Sequence, residues 1–390
     1  MFLKRRRRNL VPVVLAAAII GLAGVGTTGC SYISILRNRA RIRSGLLTPR
    51  RHDPARLDVR GNIPVLHLYG TPKEMGTQYG TILREPLRAF DAYIRAILPD
   101  ARLERLLAFA AEHEPTLPRE VRDELRAIAD AAEVPYMDLV AMNVLPRMMC
   151  TCLAVSGDAS EGGSLIMGRN ADYFGFGLED RGSMIVVYHP SKGVPVVAIS
   201  FIGMVGAFTG VNGEGVAFGN LLIFNARDDD IVRGGLPIQI TMRLAAHRSG
   251  SARAMSAILR SQQHMAPMNV MAADGKEAIL LELGLNASHV RLARNGVLAA
   301  SNHFRTPELR AREVACERYA TLIAAAEKNH GAFDVELMKK TLHAARIRGL
   351  NLQAAVFEPA AMTMHVSVNR SPAAAGPYAA FDVKKLCADE

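Results

Sequence analysis

Cys150 heads a stretch, Cys150-Thr151-Cys152-Leu153-Ala154-Val155-Ser156-Gly157, that is followed after a short gap by Gly168-Arg169-Asn170-Ala171-Asp172. Read as a hairpin, the segment returns an arginine, an asparagine and an aspartate toward one thiol. No histidine lies close to Cys150 in the sequence to act as its base. A cut between Met149 and Cys150 would supply one. The freed α-amine has an unperturbed pKa of about 8 and can take the proton of its own thiol. A thiol so activated attacks an acyl carbon and forms a thioester. The bland alternative is a buried structural cysteine, since free cysteine is among the most buried residue types. Cys152 is the rival thiol; two residues on in a strand, it shares Cys150's side and would shape the pocket.

Two asparagines could assist. Asn220 ends the apolar segment Val216 to Gly219, where a side-chain amide can donate to a developing oxyanion. Its rival Asn212 precedes Gly213, a hairpin signal that favours a turn role. Asn302, before His303-Phe304, is either a polar member of the site or a strand-end cap. Asn170 reads as a turn residue.

The elements that must position these groups follow from periodicity. Ile63–Tyr69 reads as a strand. Pro72-Lys73-Glu74 then opens a helix whose apolar positions run on to Ile97 in steps of three and four. Helical patterns recur around 103–113, 120–132, 137–148, 238–248, 252–260, 309–327 and 335–346. Strand patterns fall at 164–167, 184–189, 194–200, 216–224, 278–283, 290–292 and 297–299, with a closing hairpin at 353–357 and 364–368. Gly76 and Gly80, four apart, suit close packing against a neighbouring helix.

The nucleophile segment and Gly-Arg-Asn-x-Asp resemble the acyl-CoA:6-aminopenicillanic-acid acyltransferase-like cysteine family of Ntn hydrolases, relatives of the choloylglycine hydrolases. The resemblance extends to Gly70-Thr71-Pro72-Lys73-Glu74-Met75-Gly76-Thr77-Gln78-Tyr79-Gly80, Val211-Asn212-Gly213-Glu214-Gly215 with Gly219-Asn220, Ser301-Asn302-His303-Phe304 and Cys316-Glu317-Arg318-Tyr319. Together these cover roughly residues 62 to 385. The resemblance implies an α+β fold, a four-layer αββα sandwich. It implies Cys150 as nucleophile, Asp172 holding the α-amine, Arg169 lining the nucleophile, Asn220 as oxyanion donor, and Asn302 and Arg318 as further site groups. No cofactor and no metal are implied. Where the family often has Gly before the nucleophile, Met148-Met149 stand here, and Cys316 replaces a serine.

The net charge of +10 is concentrated. Residues 1–60 hold thirteen Lys and Arg against Asp53 and Asp58, so the rest of the chain is nearly neutral. Nucleic-acid binding by the body therefore has no electrostatic support. Residues 1–30 read as an export signal: Lys4 to Arg8, an apolar stretch from Leu10 to Gly26, then Thr27-Thr28-Gly29-Cys30. Small residues before Cys30 resemble a lipoprotein signal with Cys30 as the lipidated residue; a plain signal or an uncleaved anchor are the alternatives. Arg6-Arg7-Arg8 also fits the loose twin-arginine pattern. The Arg-rich residues 31–61 suit a tether near anionic headgroups.

The expectation is thus a catalytic domain over 62–390, cut into 62–149 and 150–390. It would sit in a bacterial cell envelope, reach the membrane through its N-terminal anchor, and act on a small-molecule N-acyl amide. A non-catalytic envelope lipoprotein binding ligands with the same fold is the rival. Hydrolysis and acyl transfer use the same residues, and the sequence is silent on oligomeric state.

Overall fold

The computed structural model describes residues 29–144 and 149–388. The apolar stretch 10–26, Met148 and the side chain of Cys30 lie outside the described residues. Helix α1 (Gly29–Leu46) leads into strands β1 (Arg50–His52), β2 (Ala55–Arg60) and β3 (Ile63–Gly70). Helices α2 (Pro72–Ile82), α3 (Arg84–Ile97), α4 (Asp100–His113), α5 (Arg119–Ala132) and α6 (Tyr136–Val144) follow. Then come β4 (Met149–Val155), β5 (Ile166–Asp172), β6 (Ser183–Pro190), β7 (Val196–Phe201), β8 (Thr209–Asn212) and β9 (Ala217–Leu222). After α7 (Ile238–Ala246) and α8 (Ala252–Arg260) run β10 (Met268–Ala273), β11 (Ala278–Leu283), β12 (Ser288–Leu292) and β13 (Val297–Ala300). The chain closes with α9 (Glu317–Lys328), α10 (Val335–Ala344), β14 (Asn351–Glu358), β15 (Thr363–Val368), β16 (Ala379–Asp382) and α11 (Val383–Ala388).

Among the described residues the strands form two sheets. One has ten strands in the order β1-β2-β3-β6-β7-β8-β9-β10-β11-β12, the other six in the order β13-β4-β5-β14-β15-β16. Because side chains alternate faces, each sheet buries two apolar surfaces. Ile185, Val187, Ile199 and Leu280 of the larger sheet meet Cys150, Met167, Ala355 and Val366 of the smaller one. The outer face of the larger sheet is covered by Tyr79, Leu125, Ile128 and Met242 of the helices. The outer face of the smaller one is covered by Leu322, Met338 and Leu342. Helix, sheet, sheet, helix: the αββα sandwich is met in these layers.

Local chemistry explains several boundaries. Thr71 caps α2, with its Oγ1 accepting from the Glu74 N–H and the Glu74 carboxylate accepting from the Thr71 N–H, a box worth about 1 kcal/mol. The periodicity favoured one helix to Ile97, but the chain breaks at Leu83. Pro86 has no N–H to give the Ile82 carbonyl, and Arg50 Nη1 takes that oxygen instead at 2.8 Å. Gly76 and Gly80 press on α5, where an added Cβ would lie 2.4 Å from the Glu124 carbonyl oxygen and 2.6 Å from that of Ile128.

Residues 31–61, read as a tether, carry α1, β1 and β2. Ile42, Leu46 and Leu57 are fully buried in the core under the helix layer. The helix expected over 309–327 begins only at Glu317, because Asn225 and Arg227 bond the backbone of Leu309, Ala311 and Arg312 and hold 309–312 irregular. Strands β8 and β10 had no reading in the sequence.

Candidate active site

β4 and β5 form the hairpin that the Cys150 segment foretold, with Cys150 paired to Ala171 and Cys152 to Arg169. Residues facing each other across a ladder share a side, so Cys150, Cys152 and Arg169 all point between the sheets. Arg169 is 1% exposed and spans the gap. Its Nη2 donates to Cys150 Sγ at 3.0 Å and to the Asn220 carbonyl at 2.9 Å, and its Nη1 donates to Thr209 Oγ1. The larger sheet makes room for it with Gly219, where an added Cβ would stand 2.4 Å from Arg169 Cδ. A buried guanidinium bonded, among the described residues, only to neutral groups and a sulfur favours the thiolate of that sulfur.

The backbone of Cys150 is held at both ends. Its N–H donates to Asn302 Oδ1 at 3.0 Å, and its carbonyl accepts from Arg318 Nη1 at 3.0 Å. Arg318 Nη2 also donates to Asn302 Oδ1 at 2.8 Å, so one oxygen ties the Cys150 nitrogen to the guanidinium. Asn302 Nδ2 reaches the Leu222 carbonyl at 2.7 Å. The 301–306 segment that carries Asn302 is itself pinned. Glu282 accepts the Arg305 and Thr306 N–H groups at 2.9 Å, and Asn269 Nδ2 donates to the Ser301 and His303 carbonyls.

Asp172 pairs with Arg318 at 3.5 Å rather than with Arg169, its neighbour in sequence. Burial pushes its carboxyl up to about 6, against the Asn351 amide and the Arg318 charge, which lower it. Burial likewise pushes the Cys150 thiol up to about 11; Arg169 opposes this and the Asp172 charge adds to it. With its nitrogen in a peptide bond, Cys150 is therefore a protonated thiol at neutral pH. Cys152, also buried, is pushed up to about 12.

Five of the six sequence candidates converge here through side chains: Cys150, Arg169, Asp172, Asn302 and Arg318. Asn220 does not. It stands opposite Val270 in the ladder and shares its face with Phe218 and Leu222, which pack under the helices, and its Nδ2 lies 4.0 Å from Met268 Sδ. Its side chain thus faces away from the layer that holds Cys150, and only its carbonyl joins the site, through Arg169. Asn212 is the turn anchor its Asn-Gly context suggested, accepting from Glu214 and Val216 N–H groups. Asn170 faces outward and donates to the Leu342 carbonyl.

Two partners escaped the sequence reading. Asn351 Nδ2 donates to Asp172 Oδ1 at 2.9 Å from the directly paired position of β14, and Thr209 holds Arg169. A polar residue at the mouth of an otherwise apolar strand was the only available signal for Asn351. Among the described residues no group of three or more His, Cys, Asp or Glu could hold a metal ion.

A sequence model of the acyl-coenzyme A:6-aminopenicillanic acid acyl-transferase family matches residues 159–370, more than half of the chain. The span contains Arg169, Asp172, Asn220, Asn302 and Arg318 and begins after Cys150. Among curated proteins the chain is similar to protein dcd1B of Dictyostelium discoideum, 26% identical over 186 residues, 39% of this chain and 37% of that one. It is also similar to an uncharacterized protein of Archaeoglobus fulgidus, 22% identical over 344 residues, 71% of this chain and 57% of that one. The chain thus spans less than two thirds of the length of either relative. Among solved structures it is similar to a Caenorhabditis elegans N-acylethanolamine-hydrolyzing acid amidase ortholog, at 17% identity and a TM-score of 0.44 over 54% of this chain and 93% of that one. A penicillin V acylase from Agrobacterium tumefaciens matches at 12% identity and a TM-score of 0.40 over 56% and 83%.

Proposed function

Because the chain belongs to the acyl-coenzyme A:6-aminopenicillanic acid acyl-transferase family, we propose that it is an autoproteolytic cysteine enzyme that cleaves linear amide bonds, or transfers their acyl group to an amine, through a thioester on Cys150. The observation that carries this reading is the threefold grip on Cys150: Asn302 on its nitrogen, Arg318 on its carbonyl, Arg169 on its sulfur.

In the precursor, Cys150 Sγ attacks the Met149 carbonyl carbon, the C–N bond breaks, and the thiol proton passes to the departing nitrogen. Asn302 Oδ1, already 3.0 Å from that nitrogen, holds it as it becomes an amine. Water then hydrolyses the thioester and leaves a first fragment ending at Met149 beside a second that starts at Cys150. In the mature enzyme the α-amine takes the thiol proton, and Arg169 stabilises the thiolate formed. Asp172, ionised at pH 7 because its carboxyl titrates near 6, holds Arg318 in register. Attack on a small-molecule N-acyl amide gives an acyl-Cys150 thioester, and the α-ammonium protonates the leaving amine. Water as acceptor completes hydrolysis; a second amine completes transfer.

The N-terminal residues support an envelope location, with Cys30 as a lipidated anchor. The test of function is a screen of N-acylated amines with the full chain and its Cys150→Ala variant. Turnover that survives in Cys150→Ala would remove Cys150 from the chemistry.

A further inference from the structure

Cys316 lies outside the machinery described above, yet its surroundings are those of a reactive thiol. It occupies the N-cap of α9, two residues before Arg318, and is half-buried. Its Sγ sits 3.4 Å from Ser301 Oγ. His303, 3% exposed, and the Tyr319 N–H in the first turn of the helix both stand near the same sulfur and favour its thiolate. The His303 ring is fixed edge-on to Tyr319 at 5.4 Å, and its Nε2 is buried with no hydrogen-bond partner among the described residues. Buried polar nitrogens are rarely left so, and one beside a thiol can take a proton from it or accept a bond from a group added to it.

These groups act in one direction. Burial raises the Cys316 thiol, but His303, Ser301, the Tyr319 N–H and the Arg318 charge outweigh it and bring the thiol down to about 6. Cys387, also half-buried but without such neighbours, is pushed up to about 12. The fold thus contains its own control.

We propose that the Cys316–His303–Ser301 cluster is a modification site, a thiol that reacts with electrophiles such as hydroperoxides, and that its state governs Arg318. In the step, the Cys316 sulfur attacks one peroxide oxygen, the O–O bond breaks, and the other oxygen leaves as hydroxide and takes a proton from solvent. The sulfur is oxidised by two electrons to a sulfenic acid and the peroxide is reduced. The added oxygen lies two residues from Arg318, beside Ser301 and hence beside Asn302. Arg318 and Asn302 hold the Cys150 backbone, so their displacement releases the nucleophile from its grip.

The first arm does not depend on what the enzyme does. In the full-length Cys150→Ala chain at pH 7, iodoacetamide alkylation followed by peptide mass mapping should modify Cys316 about tenfold faster than Cys387. His303→Gln should slow Cys316 severalfold, and Ser301→Ala should slow it in the same sense if the histidine variant loses its fold. Equal rates at Cys316 and Cys387, or a rate untouched by either variant, overturn the proposal. The second arm rests on the reading of Cys150 as nucleophile. Hydrogen peroxide should lower the turnover of the wild-type enzyme, with dimedone trapping Cys316 and a thiol reductant restoring activity, while Cys316→Ser keeps its turnover. Inactivation of Cys316→Ser as fast as the wild type would make Cys150 the sensitive thiol and sink the regulatory claim.

Discussion

Asn302 Oδ1 accepts from the Cys150 N–H at 3.0 Å and from Arg318 Nη2 at 2.8 Å, so the nitrogen of the Met149–Cys150 peptide bond is bound to a cation through one oxygen atom. The same guanidinium bonds the Cys150 carbonyl and pairs with Asp172. Cys150 is thereby fixed on both sides of its α-carbon while its sulfur remains directed at Arg169. This arrangement suits an intramolecular attack on the preceding carbonyl, where orientation rather than a strong base lowers the barrier.

Self-cleavage should therefore occur at Met149–Cys150. Intact-mass measurement should give two fragments, with the second beginning at Cys150. Cys150→Ala should stay whole, and Cys150→Ser should cut slowly. Asn302→Ala should retard cleavage by about 10²-fold, the scale for losing one positioned hydrogen-bond group at a reacting centre. An active enzyme that stays uncut would refute the scheme.

Asn220→Ala should change kcat by no more than about threefold, because the side chain faces Val270 and Met268 rather than Cys150. A loss of about 10²–10³-fold would instead assign its amide to the oxyanion.

Gly219→Ala tests the path of Arg169 across the sandwich. The new methyl would stand 2.4 Å from Arg169 Cδ, and one of the two must move. Overpacking of this kind costs about 1–3 kcal/mol. The activity loss should exceed what that stability loss explains, because Arg169 leaves the Cys150 sulfur as it shifts. Chemical denaturation and kcat measured on the same sample separate the two effects.

The sequence carried the hairpin, the convergence of Cys150 with Arg169 and Asp172, and most elements of the sandwich, because each rests on local pattern. In residues 31–61, eight arginines surround Ile42, Leu46 and Leu57, whose burial depends on distant partners and leaves no local signature. β10, Met-Asn-Val-Met-Ala-Ala, is buried on both faces, so it lacks the alternation that identifies a strand. Asn220 was read by its proximity to an apolar strand end, but which side of a sheet a residue faces depends on register, and register is a long-range property.

Asp172 should give stability a signature in pH. Its carboxyl is raised to about 6 in the folded protein against an ordinary value near 4, so the native state binds the extra proton between those limits. Stability from this group is fully present below pH 4 and is lost as pH rises through 6, by up to about 3 kcal/mol. Asp172→Asn should lack that loss, so the difference between variant and wild type in urea unfolding should grow from pH 4 to 6.5. Activity should move oppositely, falling below pH 6 as the carboxylate that holds Arg318 is protonated. A difference independent of pH would mean that the Asp172 carboxyl titrates at its ordinary value.

The last prediction concerns the membrane. Deleting residues up to Gly61 would strip Ile42, Leu46 and Leu57 from the core, so charge variants are the cleaner probe. Tyr32, Ile33 and Leu36 are 57%, 66% and 43% exposed on the first turns of α1, with Arg37 and Arg41 exposed beside them. Among the described residues no helix is long and apolar enough to cross a membrane. If Cys30 carries lipid, Cys30→Ala should shift the protein from the membrane fraction toward the soluble one. Arg37→Gln with Arg41→Gln should weaken binding to vesicles containing anionic lipid by about 1 kcal/mol per charge removed, an effect that vanishes in high salt. Vesicle sedimentation of the full chain reads both. Unchanged binding in the lipid-site variant and in the double arginine variant would move the membrane contact away from this end of the chain.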